Sequence, residues 1–190
     1  HGQRPLEQAC TEAGVDLDAL QAQLDALAVA PLTGPVADEV GALIGHIVSV
    51  HHTYLRRELP RLGELMVKVI AAHGTAHPEV HDMAATLEEL SADLLPHLLK
   101  EERVLFPLAI ELLGAVEPTG LHGGSVTNPI RVMNSEHDRV GELLVTLRRQ
   151  TGGYEPPEDA CPTWRALYAG CAEMEADVHQ HVHLENNLLF

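Results

Sequence analysis

Apolar residues return at steps of three and four along four long stretches of this chain, about 36–73, 78–114, 128–151 and 159–190. That spacing marks one buried face on an amphipathic helix. The first stretch gives Ile44, Val48, His52, Leu55, Leu59, Leu62, Met66, Val69. The second gives Met83, Leu87, Leu90, Leu94, His97, Glu101, Val104, Leu108, with no slip in the alternation. The third gives Ile130, Met133, His137, Val140, Leu144, Leu147, and the last Trp164, Leu167, Cys171, Met174, Val178, His181, Glu185, Leu188. Breaks fall at His73–Pro78, at the Gly-rich Glu117–Ser125 and at Thr151–Pro157. Two shorter amphipathic helices, about 5–13 and 16–29, precede a linker at Ala30–Pro35. The pattern predicts an all-α protein: an antiparallel four-helix bundle over 36–190 and a small N-terminal helical domain over 1–30. Pro60, Pro96 and Pro107 fall inside the helices, where kinks are expected. Pro96 directly precedes His97, where a distortion that aims the side chain and a merely tolerated kink are equally expected.

Composition agrees with helices packed on helices. Hydrophobic residues make up 45% and aromatics 3%, so the core is aliphatic. A formal charge of −16 opposes binding to nucleic acid or an anionic membrane surface. No apolar run is long enough to span a bilayer and no secretory signal is visible, which predicts a soluble cytoplasmic protein. The chain starts at His1, and both ends are expected to be trimmed. Cys10, Cys161 and Cys171 show no C-x-x-C spacing and are expected as small buried side chains.

The anomaly is the 13 histidines. His52, His97, His137 and His181 occupy apolar slots on four different helices, and Glu101 and Glu185 occupy the slots one turn after His97 and His181. A buried carboxylate costs several kcal/mol unless it is paired or bound to metal. No Lys or Arg shares these stripes, so a cation is the expected compensation. Residues at i and i+4 are neighbours on a helix, so each His–Glu pair presents nitrogen and oxygen donors together. Two such pairs make a cage for two metal ions; the mixed donors suit iron, and manganese or zinc also fit them. Depth agrees. His52 lies 16 residues into its helix and His137 nine, while His97, Glu101 and His181 lie 17, 13 and nine from the ends of antiparallel neighbours. Glu102 is expected to face solvent or to hydrogen-bond behind a ligand, and Glu136 and Asp138 beside His137 leave the same two readings open. His46, His51, His77, His81 and His122 are expected at the surface or at helix ends, and His179 and His183 away from the His181 face.

Four stretches also carry a resemblance: HHTYLRRELPRL (51–62), HLLKEERVLFPL (97–108), PIRVMNSEHD (129–138) and HVHLENNLLF (181–190). They resemble the hemerythrin-like di-iron proteins, and more narrowly the repair-of-iron-centres (RIC, YtfE/ScdA) family. PTWRALYAG (162–170) and the N-terminal GQRPLEQAC (2–10) strengthen the narrower resemblance. Carried over by position, the family's ligands fall on His52, His97, His137 and His181, with Glu101 and Glu185 as bridging carboxylates. A further family histidine falls on His73, which the spacing puts roughly 31 Å from His52 along a continuous helix. The family's small N-terminal domain carries adjacent cysteines before its Gly-rich start, and no such pair is visible after His1 and Gly2.

The resemblance implies two non-haem iron ions, bridged by carboxylates and an oxo or hydroxo group. It implies a cytoplasmic stress-response role: repair of iron–sulfur clusters damaged by nitric oxide or peroxide. Repair would proceed by donating iron or by binding NO, with reduction of two NO to nitrous oxide as one route. Damaged iron–sulfur proteins would be the clients and NO or dioxygen the small ligand, and assembly into a homodimer is left open. The alternative is a hemerythrin-like carrier or sensor of dioxygen or NO without repair activity.

Overall fold

A computed structural model describes residues 6–20, 36–114 and 127–189. The linker Ala30–Pro35, the Gly-rich break Glu117–Ser125, His122 and most of the expected 16–29 helix lie outside the described residues. Two compact units divide the chain, His1–Pro35 and Val36–Phe190. The first contains helix α1, Leu6–Ala13, in which Cys10 is buried.

In the second unit the first stretch runs as α2 (Val36–His46), a wide π turn (Ile47–His52) and α3 (Thr53–His73). The second runs as α4 (Glu79–Lys100), a π turn (Glu101–Leu105) and α5 (Phe106–Gly114). The third is α6, Thr127–Gln150, without interruption. The last is α7, Pro162–Leu184, followed by a π turn at Glu185–Leu189. Helix α3 packs on α4 and α7, and α4 packs on α6. Beyond α6 the chain turns sharply, with Gly152 and Gly153 at φ 59° and 84°, values open to glycine at no steric cost. Tyr154 follows at φ 69°, its N–H donating to Thr151 Oγ1 and its ring under Arg148.

The π turns correct the unbroken alternation expected from the pattern. In π geometry a backbone N–H bonds the carbonyl five residues back, so each wide turn absorbs one extra residue. Thr53 N–H reaches Val48 O, and Phe106 N–H reaches Glu101 O. The Thr53 hydroxyl reaches the same Val48 carbonyl at 3.0 Å. Within these turns the buried face slips from the expected positions. Val104 and Leu188, expected in the core, are 58% and 55% exposed; next to Val104, Leu105 and Phe106 are buried instead. At the start of the first turn, Ile47 is fully buried while Val48 is only partly so. The distortion lies one turn after Pro96, which sits inside continuous α4, as Pro60 does inside α3.

Two apolar clusters result. The large one runs from Leu55 and Leu98 to Val69, Leu147 and Trp164. The small one joins Ile44, Ile47 and Phe106, with Val40, Leu43, Val48, Leu184 and Leu189 packed against it. Along the helices, the polar slots fall between the two.

Candidate metal centre

His52, His97, His137, His181, Glu101 and Glu185 are all buried, and the bundle brings all six together. They form two groups that share both carboxylates: His52, His181, Glu101, Glu185, and His97, His137, Glu101, Glu185. Within each group the donor atoms lie within 4.8 Å of one another. Imidazole Nε2 atoms face each other in pairs, His52 with His181 at 3.2 Å and His97 with His137 at 3.1 Å.

Each carboxylate divides its two oxygens between those pairs. Glu101 Oε2 lies 3.3 Å from His52 Nε2 and 3.8 Å from His181 Nε2, while its Oε1 lies 2.9 Å from His97 Nε2 and 3.8 Å from His137 Nε2. Glu185 Oε1 lies 2.9 Å from His181 Nε2, and Oε2 lies 3.2 Å from His137 Nε2. The i+4 spacing sets the contacts within a helix, and the π turns begin at Glu101 and Glu185 themselves.

For three of the four rings the far side decides where the proton sits. His52 Nδ1 is 2.7 Å from Glu102 Oε1, and His97 Nδ1 is 2.9 Å from Glu136 Oε2. Burial works to raise both glutamates, but their contacts with His52 and Arg56, and with Lys100 and His97, outweigh it and hold the carboxyls below the ordinary range. An ionised carboxylate only accepts, so Nδ1 of each imidazole carries the donated proton. His137 Nδ1 faces Asn186 Oδ1 at 3.2 Å. In the neutral tautomers the Nε2 lone pairs of His97 and His137 therefore converge on one another, which is repulsive unless a proton or a cation lies between them. Burial lowers His137, but Glu101 and Glu185 override it and carry its pKa up to about 9. Glu101 is penalised by burial yet held far below the carboxylate range by His137, His52 and His97. Both Glu101 oxygens and Glu185 Oε2 are buried without a hydrogen-bond donor. Orphaned carboxylate oxygens among converging imidazole lone pairs fit a metal site.

Of the two readings the sequence left open, Glu102 and Glu136 thus take hydrogen bonding behind a central imidazole, Glu102 to His52 and Glu136 to His97. Sequence reasoning missed Asn186 and His51. Expected at the surface, His51 is 2% exposed, donates from Nδ1 to Asp177 Oδ1 at 2.9 Å, and lies parallel to the His181 ring. Only the π turn lets the adjacent residues His51 and His52 both point inward, and periodicity carries no signal for it. His46, His81, His179 and His183 are exposed, as expected. His73 lies at the other end of the bundle, its ring against Trp164 and near His77. Cys10 and Cys171 are buried, but Cys161 is only half-buried, because it caps the start of α7 instead of lying within it.

A helical bundle with four imidazoles and two shared carboxylates at its centre defines a hemerythrin-like cation-binding protein. The family described as Hemerythrin HHE cation binding domain matches residues 43–190. Iron-sulfur cluster repair protein YtfE of Yersinia pseudotuberculosis serotype IB (strain PB1/+) is 38% identical over 191 residues, covering 100% of this chain and 82% of that protein. The protein of the same name from Yersinia pestis (strain Pestoides F) matches to the same extent. The chain belongs to this repair-of-iron-centres family of hemerythrin-like proteins.

Proposed function

We propose that this protein holds two iron ions and restores iron–sulfur clusters damaged by nitric oxide or oxidative stress in the cytoplasm. His52 and His181 would hold one ion and His97 and His137 the other, with Glu101 and Glu185 shared between the two. The observation that carries this reading is the division of each carboxylate's oxygens between two imidazole pairs. A single-ion site needs no such division. The name of the Yersinia relatives supports the repair role.

Bound there, an iron pair would supply one-electron redox change and open coordination positions for a small ligand such as NO or dioxygen. The protein's part is to hold and to shield. Glu101 and Glu185 offset the charge of the ions, and Glu102, Glu136 and Asn186 fix the tautomers that aim the imidazoles. Phe106 lies 5.7 Å from the His52 ring, and with Ile47 it closes one side of the centre with apolar surface. Damaged iron–sulfur proteins are the clients, and we read the unit His1–Pro35 as the family's small N-terminal domain.

Metal content and optical spectra of wild type and Glu185→Ala test the site. Two irons per chain and a bridged di-iron absorption that disappears in the variant are expected, and an unchanged spectrum sinks the assignment. Reactivation of a nitrosylated cluster enzyme by the iron-loaded protein tests the repair role. Reversible gas binding without reactivation would favour a carrier or sensor instead.

A further inference from the structure

Three of the four central histidines have a protein acceptor for the outer ring nitrogen: Glu102, Glu136 and Asn186. His181 has none. Its Nδ1 is buried without a hydrogen-bond partner, in a fully buried residue. Metal-binding imidazoles almost always donate from the second nitrogen, and a buried donor left without an acceptor is costly.

Beside it stands a second unsatisfied atom of opposite character. The rings of His51 and His181 are parallel to within 6°, with centroids 5.8 Å apart. His51 is 2% exposed, and its Nδ1–H donates a hydrogen bond to Asp177 Oδ1 at 2.9 Å. Nε2 of His51 therefore carries a lone pair, and it too is buried without a partner. One orphaned donor and one orphaned acceptor on adjacent parallel rings match the two sides of a water molecule.

We propose that one buried water links His181 Nδ1–H to His51 Nε2, so that His51 and Asp177 are positioning residues for the fourth imidazole. The hydrogen-bonded line then runs from the centre through His181, the water and His51 to Asp177, whose side chain is 17% exposed. His51 does for His181 what Glu102 does for His52, at one remove. This rests on the reading of His181 as a metal ligand.

The test is a competition titration of the whole chain against a chromophoric chelator under nitrogen, with Fe(II) and separately Co(II). Wild type, His51→Phe, His51→Gln and Asp177→Leu are compared, with the metal-free melting temperature recorded for each. His51→Phe keeps a ring but no acceptor and is expected to weaken metal binding by about 10–100-fold. His51→Gln retains an acceptor oxygen and should recover most of that loss, with metal-free melting unchanged; a purely structural role predicts no such rescue. Asp177→Leu should weaken binding in the same direction, and with His51→Gln it carries the test if His51→Phe does not fold. Equal affinity of wild type, His51→Phe and Asp177→Leu overturns the link while leaving the metal centre intact. If wild type itself takes up no metal, the reading of the centre falls, and the link with it.

Discussion

His52 Nδ1 and Glu102 Oε1 lie 2.7 Å apart across the interface between the first two bundle stretches. Glu102 also meets Arg56, and its counterpart Glu136 meets His97 and Lys100. Both glutamates are partly exposed, so they contribute little to the core. Glu102→Leu and Glu136→Leu should each weaken metal binding by about 10–100-fold while shifting the metal-free melting temperature little. Chelator competition and calorimetry on the same samples check both halves. A loss of affinity that tracks a loss of stability would argue against an orienting role.

The π turn at Glu101–Leu105 makes a prediction opposite to that of an uninterrupted helix. Val104 is exposed and Leu105 buried. Val104→Glu should stay within about 0.5 kcal/mol of wild type, as surface changes do. Leu105→Ala should cost about 2–5 kcal/mol through lost burial and the cavity left behind. Denaturant unfolding of the metal-free protein distinguishes the two registers directly.

At Gly170 the approach of α7 to α3 leaves no room for a side chain. A Cβ there would stand 2.7 Å from Arg61 Nη2, 2.7 Å from Leu62 Cδ2 and 3.2 Å from Glu58 Oε1. Arg61 can swing aside, but Leu62 is fully buried and Glu58 nearly so. Gly170→Ala should destabilise the bundle by about 1–3 kcal/mol through overpacking. Metal stoichiometry, measured below the melting range, should stay at the wild-type value because the clash lies in the apolar part of the bundle.

Cys161 is the thiol that should react first. The backbone amide of Trp164 and the His73 side chain draw its pKa down to about 7. Burial pushes the Cys171 thiol up to about 12. An aromatic disulfide reagent should therefore modify Cys161 along a titration curve centred near 7, with Cys171 silent until unfolding. His73→Gln should move the midpoint upward. A depressed acid stabilises the fold above the ordinary thiol value, about 8.5, and that contribution is lost as pH falls through about 7. A midpoint at the ordinary thiol value would contradict the arrangement.

Much of the bundle was legible because burial on one helix face leaves a three-and-four rhythm in that helix's own sequence. The rhythm placed His52, His97, His137 and His181 inward, and the i+4 steps attached Glu101 and Glu185 to two of them. Val104 shows where it failed: within a wide turn the count no longer points to the centre, and Leu105 and Phe106 are buried in its place.

By itself, then, the sequence determined the helices, their apolar faces and the six polar residues set among them, all consequences of spacing within a single helix. Only the tertiary structure decided that each carboxylate faces two imidazole pairs, that His51 turns inward beside His52, and that Glu102, Glu136 and Asn186 stand behind the rings. The physical reason is reach. A hydrogen bond from His51 to Asp177 joins residues 126 positions apart, and a wide turn is stabilised by what packs on it from other helices. Neither leaves a period in the chain to be read.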